Sequence, residues 1–259
     1  MPAESIIVTG ADGNIGRKIV AHLHAENRHQ IIQLDRRPSP ARDVLQADLQ
    51  RLDGAWTQHF HDADTVIHLA ANPDANATWS ELVEDNIDAT LNVFETARAA
   101  AVKRVVFASS LHAALGYEGQ LPLIPSDLPA NPISCYGVSK ALGEHLGQRF
   151  VAQHGLSVLC LRIGWVPAAN HAPPDARRPL ALQHRWLSDE DLCQAITLAM
   201  EAPVDYGIVN ITSQVSGSPW SLEEARALLG YQPRSVHVPR RQDLFSRARA
   251  RLARWRRPD

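Results

Sequence analysis

Short β-branched and aliphatic runs alternate with longer stretches of helical period along most of the chain, and this alternation limits the fold more than any single motif. The strand-like runs cover residues 6–9, 30–34, 65–69, 104–108, 157–161 and 207–211, and the helical patterns cover 14–26, 79–101, 134–154, 188–201 and 221–229. Strands separated by helices return parallel to one another, and a run as continuously apolar as Val105-Val106-Phe107-Ala108 requires cover on both faces. The expected fold is therefore α/β, a doubly wound parallel sheet of the Rossmann type.

Ligands of such a sheet bind beyond the carboxyl ends of its strands. Two segments break the pattern there, 111–132 and 166–187, both rich in proline and small or polar residues. Long irregular segments within a compact domain usually carry function, so these are the expected walls of a substrate site. At 259 residues the chain is long for one domain and short for two. Residues 1–165 are expected to hold the dinucleotide-binding sheet and the chemistry. Residues 166–259 would form a small substrate-covering region that is not an independent domain.

Charge is nearly balanced, with 26 Lys and Arg against 28 Asp and Glu, and 45% of residues are hydrophobic, which excludes a disordered, collagenous or coiled-coil chain. No apolar stretch approaches the ~18 residues of a membrane span, and the N-terminus carries no basic and apolar leader. The cytoplasm is the expected compartment and no membrane is expected as a partner. Cys135, Cys160 and Cys193 are too scattered for a disulfide framework or a zinc site and read as small buried apolar residues. His22/His24 and His59/His61 have H-x-H spacing without an accompanying carboxylate or cysteine cluster, so no metal is expected. Near the C-terminus, Arg247, Arg249, Arg251, Arg254, Arg256 and Arg257 surround Leu244, Phe245, Leu252 and Trp255. This reads as a terminal helix docking its apolar stripe on its own protein. Contact with nucleic acid has no second basic region to support it.

Thr9-Gly10-Ala11-Asp12-Gly13-Asn14-Ile15-Gly16 closes the first strand and opens the first helix with glycines spaced G-x-x-G-x-x-G. Glycines here permit a tight turn, close approach to a pyrophosphate and close packing of helix on strand, while the helix N-terminus offers unpaired N–H donors. Asp35 ends the second strand about 20 residues on, where a carboxylate accepts hydrogen bonds from both hydroxyls of an adenosine ribose. It would repel a 2′-phosphate and so favours NAD over NADP, whereas Arg36-Arg37 beside it could pair with that phosphate. Asp48-Leu49, past a short third strand, would cover the adenine.

The chain has three lysines, and one of them, Lys140, follows Tyr136 by four positions within a helical pattern, so phenol and ammonium share a helix face. At ~4 Å and an effective dielectric of ~20 the ammonium would favour the phenolate by ~4 kcal/mol, or ~3 pKa units, bringing a tyrosine from ~10 toward neutrality as a base. Gly143 and Gly147 continue that face and would let a ligand or a strand come close. Such a pair alone is also common on helix surfaces. Phe107-Ala108-Ser109-Ser110 adds to it, because a strand ending there delivers a serine hydroxyl to the same sheet edge.

The glycine turn, His68-Leu69-Ala70-Ala71, Asn86, Ser109-Ser110 and Tyr136 with Lys140, in this order, resemble an extended short-chain dehydrogenase/reductase of the NAD-dependent epimerase/dehydratase family. The resemblance covers about residues 5–230. It implies that Ser110 polarises the reacting oxygen, Tyr136 exchanges its proton, and Lys140 binds the nicotinamide ribose and lowers the tyrosine pKa. It also implies NAD contacts from Gly10, Asp12, Gly13, Asn14, Ile15, Gly16, Asp35, Asp48, Leu49, Leu69, Ala70, Ala71, Asn86, Tyr136, Lys140 and Ile163. Homo-oligomers built on the 79–101 and Tyr136 helices are a further expectation from the family.

Phe107-Ala108-Ser109-Ser110-Leu111-His112, Tyr136-Gly137-Val138-Ser139-Lys140, Leu161-Arg162-Ile163-Gly164 and Trp186-Leu187-Ser188-Asp189-Glu190-Asp191 are similar to the uronate dehydrogenases and related NAD-dependent aldose dehydrogenases. In that group a cyclic sugar is oxidised at C1 to a lactone without a metal. The likeness implies that Tyr136 takes the C1 hydroxyl proton while hydride passes to NAD, Ser110 holds the oxygen and His112 hydrogen-bonds a sugar hydroxyl. Asn72, Leu111 and Trp165 would complete the substrate pocket. Leu111 stands where uronate dehydrogenases carry asparagine, and Trp165 where they carry serine. Their carboxylate-gripping arginine has no ungapped match before Trp186, which leaves Arg177 or Arg178 to supply it from a longer loop and leaves uronate, neutral aldose and sugar phosphate open. Two other functions remain: a nucleotide-sugar epimerase, dehydratase or reductase, and a non-catalytic NAD sensor. Fewer than 100 residues follow Arg162, which favours a small sugar over a nucleotide-sugar, and an intact Ser110, Tyr136 and Lys140 argues against a sensor.

Overall fold

Successive side chains of a strand point to opposite faces, and here both faces are apolar. Ile6 and Val8 pack into one core layer and Ile7 into the other; Val106 and Leu159 face the first, Val105, Phe107 and Val158 the second. The computed structural model describes residues 4–52, 54–168 and 172–240. The Arg-rich C-terminal stretch lies outside the described residues.

Seven parallel strands form the sheet in the order β3 (Val44–Gln46), β2 (His29–Asp35), β1 (Glu4–Thr9), β4 (Thr65–His68), β5 (Arg104–Ser110), β6 (Ser157–Ile163) and β7 (Tyr206–Ile211). The order reverses at β1, between β2 and β4, which opens a crevice at the carboxyl ends of these strands. Helices α1 (Asn14–Glu26) and α6 (Asp189–Glu201) cover one face through Ile19, Leu23, Leu192 and Ile196. Helices α3 (Ala89–Ala99) and α4 (Cys135–His154) cover the other through Val93, Phe94 and Phe150. Because β7 is a strand of the sheet and α6 part of its core, residues beyond 165 share the packing of those before it.

The helix expected over 79–101 is divided. Thr78 and Glu81 form a reciprocal cap on α2 (Trp79–Leu82), a π-helical turn follows over Val83–Asp88, and α3 then resumes. Hydrophobic period alone does not reveal the extra residue of a π turn, which here buries Asn86. Both loops expected to be irregular contain short structure: a 3₁₀ segment over Leu111–Tyr117 and helix α5 (Leu180–His184). Helix α7 (Glu223–Leu229) and a small parallel pair, β8 (Gln214–Val215) with β9 (Val236–His237), complete the described chain. Cys160 and Cys193 are buried as expected, but Cys135 is exposed on the first turn of α4, and all three are free thiols. Among the described residues no group of three or more His, Cys, Asp or Glu gathers where it could hold a metal, and no helix is long and apolar enough to cross a membrane.

Two buried polar groups fix the sheet ends. Arg162, 1% exposed, donates from Nε to Glu144 Oε1 at 2.8 Å and from Nη2 to Glu144 Oε2 at 2.9 Å, while Ser109 donates to the same Oε1 at 2.6 Å. One carboxylate on α4 thus binds β5 and β6. His68 links β1 to α3, with Nδ1 2.8 Å from Thr9 Oγ1 and Nε2 3.2 Å from Thr90 Oγ1. Burial, with the nearby Lys140 charge, pushes the His68 pKa down to about 3.

Glu144→Gln should leave the Arg162 charge buried without its partner and cost about 3–5 kcal/mol in urea unfolding, whereas a loss below about 1 kcal/mol would show that the pair does not hold α4. For His68 the folded pKa lies below the unfolded value of 6.5, so between about pH 3 and 6.5 the unfolded chain binds the extra proton. Stability therefore rises with pH through that window, by at most about 1.4 kcal/mol per unit from this group. A His68→Gln variant should lose stability at pH 7 and show a shallower slope than wild type between pH 6.5 and 3, measured by denaturant titration at each pH.

Candidate active site

The crevice begins where β1 turns into α1. Gly10 adopts φ +67°, and a Cβ there would strike the backbone of Ala70, so both the left-handed turn and the close approach of the loop after β4 require glycine. Helix α1 starts after Gly13 with no side chain capping it, and Gly13, Asn14, Ile15 and Gly16 all border the cleft. Asn14 commits its side chain elsewhere, donating from Nδ2 to Val166 O at 3.1 Å and so tying down the loop after β6.

One arm of the crevice, about 400 Å³, is lined by Gly10, Asp12, Asp35, Asp48, Leu49, Leu69 and Ala70 among others. The Asp35 carboxylate accepts the N–H of Asp12 at 3.1 Å and of Arg37 at 3.2 Å, which holds it at the end of β2. Arg36 pairs with Asp85 at 2.8 Å, where Gln50 Nε2 also donates at 2.7 Å, and both Arg36 and Arg37 lie on the groove wall. Asp12 faces Arg42 at 2.6 Å.

The other arm, about 360 Å³, brings together Ser110, Leu111, His112, Tyr136, Lys140, Ile163, Trp165 and Arg185, with Leu69 and Ala71 at its floor. Ser110 ends β5 and accepts the His112 N–H at 3.2 Å, which leaves its hydroxyl proton for the Tyr136 phenol within hydrogen-bonding reach. Ser134 caps α4 by accepting the Gly137 N–H at 3.1 Å, so Tyr136 and Lys140 stand one turn apart at the helix start. The His112 ring meets Tyr136 edge-on with centroids 5.5 Å apart. Lys140 is buried with Nζ 5.1 Å from the Phe107 ring centroid and 5.8 Å from that of Tyr136, and has no carboxylate partner among the described residues. Gly143 and Gly147 face Phe107 and Val158, so it is the strands β5 and β6 that approach α4 there.

The electrostatics correct one expectation. Burial pushes the Tyr136 phenol up, opposed by the Ser110 hydrogen bond, rather than down toward neutrality. The ammonium lies 5.8 Å from the ring centroid, and burial brings Lys140 down to about 8. His112 is lowered by burial and by the Arg185 charge.

Several expected site residues lie elsewhere. Asn86 sits behind the crevice, donating from Nδ2 to Ser139 Oγ at 3.0 Å and Asn72 O at 3.2 Å and accepting the Asn72 N–H at 2.7 Å. Asn72 turns its own side chain to the Asp74 N–H at 3.1 Å. Leu111 is buried against Ala114, Ile124 and Trp220, with one edge on the cleft. Arg177 is largely exposed and paired with Asp175, and Arg178 is exposed over the Trp165 ring at 5.7 Å; neither lines the cleft. The arginine that does is Arg185. Its only signal in the sequence is its place directly before Trp186, since nothing in a loop's periodicity tells which of several arginines turns inward. Gly164 makes room for it, because a Cβ at 164 would strike the Arg185 carbonyl. A larger hollow of about 730 Å³ between α1 and α6 contains none of the Ser110, Tyr136 and Lys140 group and opens broadly to solvent.

Residues 6–212 match the NAD dependent epimerase/dehydratase family. The chain is 38% identical over 246 residues to L-arabinose 1-dehydrogenase (NAD(P)(+)) of Haloferax volcanii, covering 88% of this chain and 96% of that one. It is 32% identical to NAD-dependent glucose-6-phosphate dehydrogenase of the same organism, covering 89% and 93%. Uronate dehydrogenase from Agrobacterium tumefaciens superposes with a TM-score of 0.75 at 26% identity, covering 100% of this chain and 91% of that one. With the match running from β1 to the end of β7, the chain belongs to the NAD dependent epimerase/dehydratase family.

Proposed function

We propose that this protein is an NAD-dependent sugar dehydrogenase that oxidises a small cyclic sugar, aldose or uronate, at C1 to the lactone. The observation that carries this reading is the convergence of Ser110, Tyr136 and Lys140 in one cleft that adjoins the uncapped start of α1. Relatives named as sugar 1-dehydrogenase and uronate dehydrogenase support it.

NAD, when bound, would supply the hydride acceptor. The residues fit such a guest: first-turn N–H groups at Asn14–Gly16 for the pyrophosphate, Asp35 for the adenosine ribose, and Asp48 with Leu49 at the adenine end. Asp35 at the groove, with Arg36 held by Asp85, favours NAD over NADP. Tyr136 then takes the proton of the C1 hydroxyl, Ser110 donates to the oxygen that is becoming a carbonyl, and Lys140, still mostly charged at neutral pH, opposes the desolvation that disfavours phenolate. Asn86 positions α4 through Ser139. Self-association would use the adjacent α3 and α4, which leave Leu91, Val138 and Leu142 exposed.

Purified protein with NAD and a panel of free sugars should form reduced cofactor, followed by absorbance. Conversion of a nucleotide-sugar with none of the free sugars oxidised would instead identify an epimerase or dehydratase. Tyr136→Phe should lower the rate by about 10²–10⁴-fold and leave NAD binding within about threefold in a fluorescence titration. Because burial raises the phenol, kcat should climb with pH above neutrality. Asp35→Ser should raise KM for NAD by about 10–100-fold through loss of charge-assisted hydrogen bonds and narrow the preference over NADP, measured by paired kinetics.

A further inference from the structure

The strand that delivers Ser110 also delivers a carboxylate. Beyond Ser110 the chain runs through the 3₁₀ segment Leu111–Tyr117, and Glu118 closes that segment with its N–H on Leu115 O at 3.1 Å. Arg185 arrives from the other wall, after α5. Its carbonyl accepts the Trp165 N–H at 2.6 Å and its Nε donates to Ala181 O at 3.0 Å. That same Nε stands 3.4 Å from Glu118 Oε1, with the two side chains only 16% and 18% exposed.

Arg185 is the only arginine lining this arm of the cleft among the described residues, and the lysine there, Lys140, is set against the Phe107 and Tyr136 rings. His112 is held neutral at physiological pH by burial and by Arg185 itself. Arg177 is paired with Asp175, and Arg178 lies exposed over Trp165 rather than in the cleft.

We propose that Glu118 sets the substrate class of this site: by neutralising Arg185 it makes the guanidinium a hydrogen-bond donor for sugar hydroxyls instead of an anchor for an acid, so the enzyme takes uncharged aldoses. The proposal rests on the sugar dehydrogenase reading and specifies its substrate. A uronate carboxylate or a sugar phosphate at Arg185 would have to share the guanidinium with the Glu118 carboxylate 3.4 Å from its Nε. An uncharged sugar meets no such opposition. Of the five N–H donors of Arg185, the Nε–H is given to Ala181, and the Nη groups remain to serve hydroxyls. His112 Nδ1 is buried on the cleft wall without a partner, a second point for a hydroxyl.

The test compares kcat/KM with NAD for a matched pair of sugars, galactose and galacturonate, and for glucose and glucose 6-phosphate, in wild type, Glu118→Gln and Arg185→Met. Wild type should favour each neutral sugar over its charged partner by about tenfold or more. Glu118→Gln should shift both preferences by about tenfold toward the anion, which a merely structural role for Glu118 would not do. Arg185→Met should raise KM for the neutral sugar about tenfold with kcat changed by less than about threefold, and this arm stands if the Glu118 variant fails to fold. Wild-type preference for the anions, or preferences unmoved in a Glu118→Gln protein that binds NAD normally, would overturn the proposal and leave the dehydrogenase reading intact. Reduction of NAD by none of the four sugars, nor by any of a wider panel, would overturn both.

Discussion

The Glu144 carboxylate holds the active cleft in shape. It receives two N–H groups from Arg162 on β6 and the hydroxyl of Ser109 on β5, all out of reach of water. Each of these groups neighbours a residue of the cleft: Ser109 precedes Ser110, Arg162 precedes Ile163, and Glu144 lies one helical turn beyond Lys140. An ion pair this deep is expensive to form and more expensive to break, so it adds little net stability while admitting only one arrangement. The distance between the β5 serine and the α4 tyrosine is thereby set by a contact neither residue makes.

Charge in the cleft follows a common rule, in which burial and pairing decide what each ionisable group can do. Lys140 lies against aromatic faces with no carboxylate partner among the described residues, and burial brings its pKa down to about 8. The other two lysines of the chain, Lys18 and Lys103, are each paired with an aspartate. Burial disfavours the phenolate of Tyr136 more than the Ser110 hydrogen bond favours it.

Much of this arrangement could be read from the residues. Continuous apolar strands such as Val105–Ala108 and the glycine turn at Gly10 leave few alternatives, because a strand buried on both faces and a left-handed turn each exclude most side chains. Ser110, Tyr136 and Lys140 meet as their spacing suggests. The parts that escaped are those set by tertiary contact alone. The π turn at Asn86 hides inside a helix whose period looks unbroken, and the inward arginine is Arg185, not Arg177 or Arg178, because the Trp165 strand end captures its backbone. The direction of the Tyr136 shift follows from its burial, which a four-residue spacing does not specify.

The 3₁₀ segment after β5 has Ser110 at one end and Glu118 at the other, with His112 between them. On the proposed reading, reaction and selection share a single short piece of chain, braced by the Leu111 cluster. If Glu118 selects the sugar as proposed, a single exchange at position 118 would retune the substrate and leave Ser110 where it is. An insertion between 111 and 117 would have no such freedom, since it would displace both ends of the segment together.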